Sequence, residues 1–222
     1  MLYVGVFYVV FEKLLENRQP EFLYFLMVGK LTFIWFSKSV SQAANSLETN
    51  RGLIAQLNLP KELFPLSVIH EGLYRQAVVF SFLLIVLSVA GYTPNIHWIW
   101  LLPLMLVQFL LIIGCGLLAA LLVCLQRDFK ILIQLGMIFL LFMSGIFWDV
   151  RSIHDTQIFK WLMILNPVAV LIDSYRQVLI VGMPPELNGL RWALCESLLL
   201  VCLMLLAYGR LHFWIARRVI NR

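Results

Sequence analysis

The stretch WIWLLPLMLVQFLLIIGCGLLAALLVCL, residues 98–125, runs for 28 positions without a charged side chain. About 20 mainly apolar residues suffice to cross a bilayer as a helix, so this stretch alone sets the fold class. The rest of the chain agrees with it. Of 222 residues, 62% are hydrophobic and 13% charged, and the mean hydropathy is +0.89. Soluble domains carry about 25% charged and about 45–50% apolar residues. The composition excludes a soluble enzyme, a disordered chain and a disulfide scaffold. It implies an all-α fold, a polytopic bundle of membrane helices.

Outward from 98–125, four more stretches qualify or nearly qualify as spans: 22–47, 76–92, 131–148 and 192–215. A sixth, 1–11, reaches only about 16 Å as a helix, half a bilayer. It lacks the basic start and small-residue cleavage site of a signal peptide. The expectation is that the chain begins inside its first span, through a misplaced start or a truncated product. The sequence therefore predicts one domain over 1–222 with about six spans, the first incomplete. A long loop at 48–75 and a segment at 149–191 interrupt the series.

Lys and Arg set the orientation. The net charge is +5, yet the only basic cluster is the tail Arg217, Arg218 and Arg222. A basic tail after an apolar run marks a cytoplasmic membrane edge and gives no reason to expect nucleic acid. Counting back places 126–130, with Arg127 and Lys130, and 48–75, with Arg51, Lys61 and Arg75, on the same side. The opposite loop 93–97 has no Lys or Arg. Segments 12–21 and 149–191 then lie outside.

The outer segment holds two apolar pieces, 158–165 and 168–181, split by Asn166-Pro167. The second covers about 21 Å as a helix, too short to cross, and reads as re-entrant or interfacial. Asp173 and Arg176 stand three apart, a spacing that allows pairing across one turn. On the other side, NRGLIAQLNLPKELFPLS (50–67) places Leu53, Ile54 and Leu57 on one face of a short helix. Pro60 suits the first turn of a following helix, and Pro65 is expected to kink or stop it. The apolar face is covered by the membrane surface or by a docking protein.

Lys30, Ser37, Ser41, Asn45 and Glu48 recur near helical spacing, with Trp35 and Phe36 alongside. A lysine near mid-bilayer costs about 2.5–3.5 kcal/mol. Either this stripe meets other helices or a watery path, or Lys30 snorkels outward. Arg127-Asp128 reads as a turn fixed by a cap or a charged hydrogen bond. No nucleotide loop of the G-x-x-x-x-G-K-[ST] type, no G-x-S-x-G turn, no H-E-x-x-H and no C-x-x-C is present. His70, His97, His154 and His212 have no ligand spacing, so neither a catalytic nor a metal site is expected. Gly114–Ala119 matches G-x-G-x-x-A, but inside a span the small pairs Cys115/Ala119 and Gly116/Ala120 serve close helix approach. Cys115, Cys124, Cys195 and Cys202 lie in apolar runs and read as small hydrophobes.

Four pieces, in order, carry a resemblance: FLMVGKLTFIWFSKSVSQAANSLETNRGLI (25–54), LNLPKELFPLSVI (57–69), LQRDFKILIQLGMIFLLFMSGIFW (125–148) and LNPVAVLIDSYRQVLIVGMPP (165–185). Together they make the chain resemble the membrane subunit of a type-2 ABC transporter, in the polysaccharide and polyol-phosphate export branch. Such subunits begin with an amphipathic helix and a complete first span, and the match departs there.

The resemblance implies a transport subunit, not an enzyme, in a bacterial cytoplasmic (inner) membrane. It implies two copies and two ATP-binding subunits, with ATP and Mg on those partners and no cofactor in this chain. Segment 50–67 then holds a coupling helix, with Asn50, Arg51, Leu53, Ile54, Leu57, Pro60, Lys61 and Phe64 as its residues. Leu53, Ile54 and Leu57 make the contacts, and Arg51 and Lys61 form the rim. A lipid-linked glycan passes between the copies along Tyr3, Phe7, Tyr8, Lys30, Phe33, Trp35, Phe36 and Ser37. Asn166, Pro167, Asp173, Tyr175 and Arg176 form an outer gate, with Tyr175 and Arg176 touching sugar or phosphate. Two alternatives stand: a drug or small lipid as cargo, or a glycan polymerase or acyltransferase built on Asp149, Arg151, His154 and Asp155.

Overall fold

A computed structural model of the protein describes residues 21–57, 59–153 and 155–220. In order, the helices are α1 (Glu21–Thr49), α2 (Arg51–Gln56), α3 (Leu63–Val89), α4 (Leu101–Leu125, led in by a 3-10 turn Ile96–Trp100) and α5 (Phe129–Met143). Then follow α6 (Thr156–Leu165), α7 (Pro167–Arg176, continued by a π turn Gln177–Val181) and α8 (Leu187–Ile220). No strand occurs among the described residues. Hydrocarbon offers backbone groups no partner, so long apolar runs fold as helices that satisfy themselves.

Among the described residues four helices are long and apolar enough to cross a membrane: α1, α3, α4 with its lead-in, and α8. At about 1.5 Å per residue each is about 40–50 Å long, more than a hydrocarbon core of about 30 Å. The pair α6 and α7 is bent by 106° at Asn166, the break that the Asn-Pro step foretold. The expected partial span at 1–11, with Tyr3, Phe7 and Tyr8, lies outside the described residues.

Several boundaries differ from the sequence expectation, and α8 runs from Leu187 to Ile220, longer at each end than the expected 192–215. Helix α3 begins at Leu63, not Gln76. His70, Glu71 and Arg75 interrupt hydropathy there without interrupting the helix. Pro65 sits in the first turn, where its missing N–H costs nothing, and neither kinks nor stops α3. Helix α5 ends at Met143, five residues short of Trp148, where Gly145 turns the chain with φ +68°.

The core forms around α4, which packs along α1 and α8, while α1 also packs along α3. Glycines set the spacing. A Cβ on Gly116 would stand 2.7 Å from Ile69 Cδ1 and 3.1 Å from Ala43 Cβ. One on Gly72 would stand 2.6 Å from Ser39 Oγ, and one on Gly114 2.9 Å from Leu200 Cγ. Interhelical bonds lock the register: Gln108 Nε2 donates to the Thr32 carbonyl (2.9 Å) and Tyr208 donates to the Leu117 carbonyl (3.1 Å). All four cysteines are free thiols. Gly116→Leu overfills the α1/α3/α4 contact, an expected loss of about 1–3 kcal/mol. Thermal unfolding in detergent would show it. Gly136→Ala, with open space at its Cβ inside α5, is expected to keep or raise the midpoint, since alanine is favoured over glycine in a helix by about 1 kcal/mol.

Candidate functional site

The bundle has two chemically distinct ends. One carries Arg51, Arg127, Lys130 and Arg218 and is here termed the basic end. Glu48, at the foot of α1, accepts from Arg127 Nε (3.0 Å) and Lys130 Nζ (2.6 Å). Arg218 Nη2 donates to the Leu125 carbonyl (3.2 Å). So Arg127 acts across the bundle rather than within its own turn. Asp128 caps no backbone group by its side chain and instead accepts from Gln126 Nε2 (3.0 Å).

Helix α2 hangs below this layer. Its Ile54 is buried with Leu47, Phe64, Leu117, Leu121, Tyr208 and Ile215. Leu53 and Leu57 point away and are 48% and 46% exposed, flanked by exposed Leu59 and Leu63. The expected common face of Leu53, Ile54 and Leu57 is thus divided: Ile54 is the anchor, and the leucines form an open apolar ridge. Asn50 Nδ2 donates to the Ser46 carbonyl (2.8 Å) and ties α2 to α1. Arg51 and Pro60 are exposed, whereas Lys61 is buried, a correction to its expected place at the rim. Its ammonium turns under the loop toward the Leu57 carbonyl (3.5 Å), at the negative end of α2.

Along α1, Phe33, Trp35 and Phe36 are buried in the core of a single chain. These aromatics pack inside one copy and do not line its surface. The partly exposed line of α1 runs through Lys30, Ile34, Ser37, Ser41, Asn45 and Glu48, the polar stripe read from the sequence.

The opposite end is organised by Arg176. It is 4% exposed, and its guanidinium reaches three carbonyls on two separate segments. Nη1 donates to the Gly145 carbonyl (2.6 Å), Nη2 to the Ile146 carbonyl (2.9 Å), and Nε and Nη2 to the Phe25 carbonyl (3.3 and 3.2 Å). Its central carbon lies 3.3 Å from the centroid of the Phe25 ring. Gly29 makes room: a Cβ there would stand 2.5 Å from Arg176 Nη2.

Asp173 does not pair with Arg176 as expected. It faces Arg151, 3.1 Å away, and Gln177 Nε2, 2.6 Å away. The Asp173 hydrogen bond raises the Arg151 guanidinium above its ordinary value. Asn166 holds the bend: its Oδ1 accepts from the Ala169 N–H (3.2 Å), and its Nδ2 donates to Ser144 Oγ (3.1 Å). Pro167 opens α7 where no N–H is needed. Tyr175 is fully buried against the Phe80 ring (5.3 Å between centroids), a correction to its expected place at an open gate. The resemblance put it at the gate beside Arg176, but it faces α3.

Between these elements lies a cavity of about 800 Å³. Phe22, Phe25 and Trp148 supply its aromatic wall, and Arg151, Asp173 and Gln177 much of its polar wall. Gly29, Gly145 and Trp148 escaped the sequence reading. The available signals were a glycine inside an apolar span and a glycine just before a span's expected end.

Long apolar helices, a bent apolar pair and polar clusters at both ends define a polytopic membrane protein. The family model of the ABC-2 type transporter matches residues 1–180. The chain belongs to that family. It is 26% identical over 184 residues to the O-antigen export system permease protein RfbA of Klebsiella pneumoniae, covering 82% of this chain and 70% of that protein. To the protein of the same name from Myxococcus xanthus it is 23% identical over 177 residues, 80% of this chain and 68% of that one.

Proposed function

We propose that the chain is the permease subunit of an ATP-driven exporter that carries a lipid-linked polysaccharide, or a related surface glycan, across a bacterial cytoplasmic membrane. Two copies would work with two separate ATP-binding subunits, which hold ATP and Mg. The basic end faces the cytoplasm, in keeping with Arg51, Lys61, Arg127, Lys130, Arg217 and Arg218 there. The names of its relatives support the cargo class.

One observation carries the mechanism. Helix α2 is anchored by Ile54 and leaves Leu53, Leu57, Leu59 and Leu63 exposed together on the basic end. An anchored helix with an open apolar ridge suits the groove of a soluble partner. Movement of that partner on binding ATP would reach α1 through Asn50 and α8 through Ile54. The polar line Lys30, Ser37, Ser41 and Asn45 would face the second copy and the path between the copies, in keeping with the cost of exposing a lysine to lipid. Arg151, read from sequence as part of a catalytic cluster, is engaged by Asp173, which favours transport over an embedded enzyme.

Leu57→Glu tests this reading. Export in a complemented deletion strain is expected to fall about tenfold or more, as for a central apolar contact. The amount of chain in the membrane should stay unchanged, because Leu57 is exposed. Normal export with Leu57→Glu would sink the docking role of α2.

A further inference from the structure

We propose that the 800 Å³ cavity at the non-basic end is a binding site for an uncharged pyranose unit, an inference that rests on the glycan-export reading and names the chemistry of its outer end. Small-molecule sites commonly measure about 300–1,000 Å³ and pair aromatic walls with a few placed polar groups. This one fits that description.

Its charges argue against an anion. Asp149, Asp173 and Glu186 line it together with Arg151 and Arg176. Both guanidiniums are already engaged. Arg176 gives four hydrogen bonds to backbone carbonyls, and Arg151 gives three to Asp173. A phosphate or a uronic acid would meet three carboxylates against two guanidiniums, with Arg176 tied to backbone carbonyls and Arg151 paired with Asp173. An acyl chain would strip water from the exposed Asp149, Arg151 and Glu186 without replacing it. A neutral sugar ring meets both conditions. Its hydroxyls donate to the carboxylates, and its C–H face lies against an aromatic ring. Trp148 offers that ring, since its Nε1–H is committed to the Phe142 carbonyl (3.0 Å) and its orientation is thereby held. Phe25 cannot serve as well on the face that Arg176 covers.

The test is a titration of the full chain in lipid nanodiscs, read by saturation-transfer NMR. The neutral probes are linear pentasaccharides of glucose, mannose and galactose. The charged probes are pentagalacturonate and the chitosan pentamer, and glycerol 3-phosphate stands for a lipid headgroup. At least one neutral probe is expected to bind, and Trp148→Ala to weaken it about fivefold. Ile99→Ala, exposed at the same end but outside the cavity, should change nothing. Thermal midpoints of both variants report whether they fold.

If no neutral probe binds, or a charged one binds as well, the proposal is overturned. Displacement by glycerol 3-phosphate overturns it in favour of a lipid headgroup. A response indifferent to Trp148→Ala overturns it in favour of another surface. Titration requires no transport, so failure here with export intact rejects the cavity assignment alone. Saccharide binding in a chain that exports no glycan rejects the export reading alone.

Discussion

Replacing Arg176 by alanine is expected to release the bent α6–α7 pair from the bundle and abolish transport. One side chain joins α7 to the first turns of α1 and to the chain just past α5. The carbonyls of Gly145 and Ile146 lie beyond the end of α5 and have no helical donor of their own. Hydrogen bonds to a charged group contribute about 1.5–3 kcal/mol each at most, and they are not additive. A buried carbonyl left without a donor costs about 1–3 kcal/mol, so the three carbonyls together cost about 3–5 kcal/mol once non-additivity is allowed for. That range is the expected loss in a denaturant titration in micelles. Arg176→Lys is expected to recover less than half, because a single ammonium lacks the planar fork that serves three carbonyls at once. A loss within about 0.5 kcal/mol, typical of an inconsequential surface change, would show that Arg176 does not clamp the pair.

Gly29→Ala approaches the same clamp from the other side, and its sign depends on the background. In the native chain the added Cβ would meet Arg176 Nη2 at 2.5 Å. The atom it meets is the far end of a side chain, but this one is tied to three carbonyls and has little freedom to move. Residue 29 also sits one helical turn after Phe25, so a side chain there shields the Phe25 carbonyl. The expected cost is about 1–3 kcal/mol, as for overpacking. In an Arg176→Ala background the obstacle is gone. The helix preference of alanine over glycine, about 1 kcal/mol, should then make Gly29→Ala neutral or stabilising. A double-mutant cycle reads this reversal directly. Equal costs in both backgrounds would sink the steric account.

What the sequence disclosed follows the range over which a pattern acts. Apolar runs announced α1, α4 and α8 because lipid rewards every turn of such a run alike. Asn166-Pro167 announced the bend because a cap and a ring-locked φ act within three residues. The start of α3 was hidden, since His70, Glu71 and Arg75 lower hydropathy while costing the helix nothing. The partners of Arg176 were hidden for a different reason. Its nearest carboxylate in sequence, Asp173, turns to Arg151, while Arg176 reaches Phe25 across 151 positions. Hydropathy reports which segments enter lipid, but it carries no information on which side of a helix another helix will occupy. For that reason Phe33, Trp35 and Phe36 read as path aromatics and proved to be core. Ile54 and Leu53, neighbours of equal hydrophobicity, took opposite roles.

Helix α1 is a single unbroken rod of 29 residues. Its foot is tied to α2 through Asn50, and its head presents the Phe25 carbonyl to Arg176. At 1.5 Å per residue it is about 43 Å long. A tilt of about 10° imposed at one end would sweep the other by about 7 Å, given that length. Among the described residues it has no proline and no break to absorb the motion. The one helix is therefore a lever arm: a nudge delivered on one face of the membrane arrives on the other as displacement, with the Arg176 clamp as its far coupling pin.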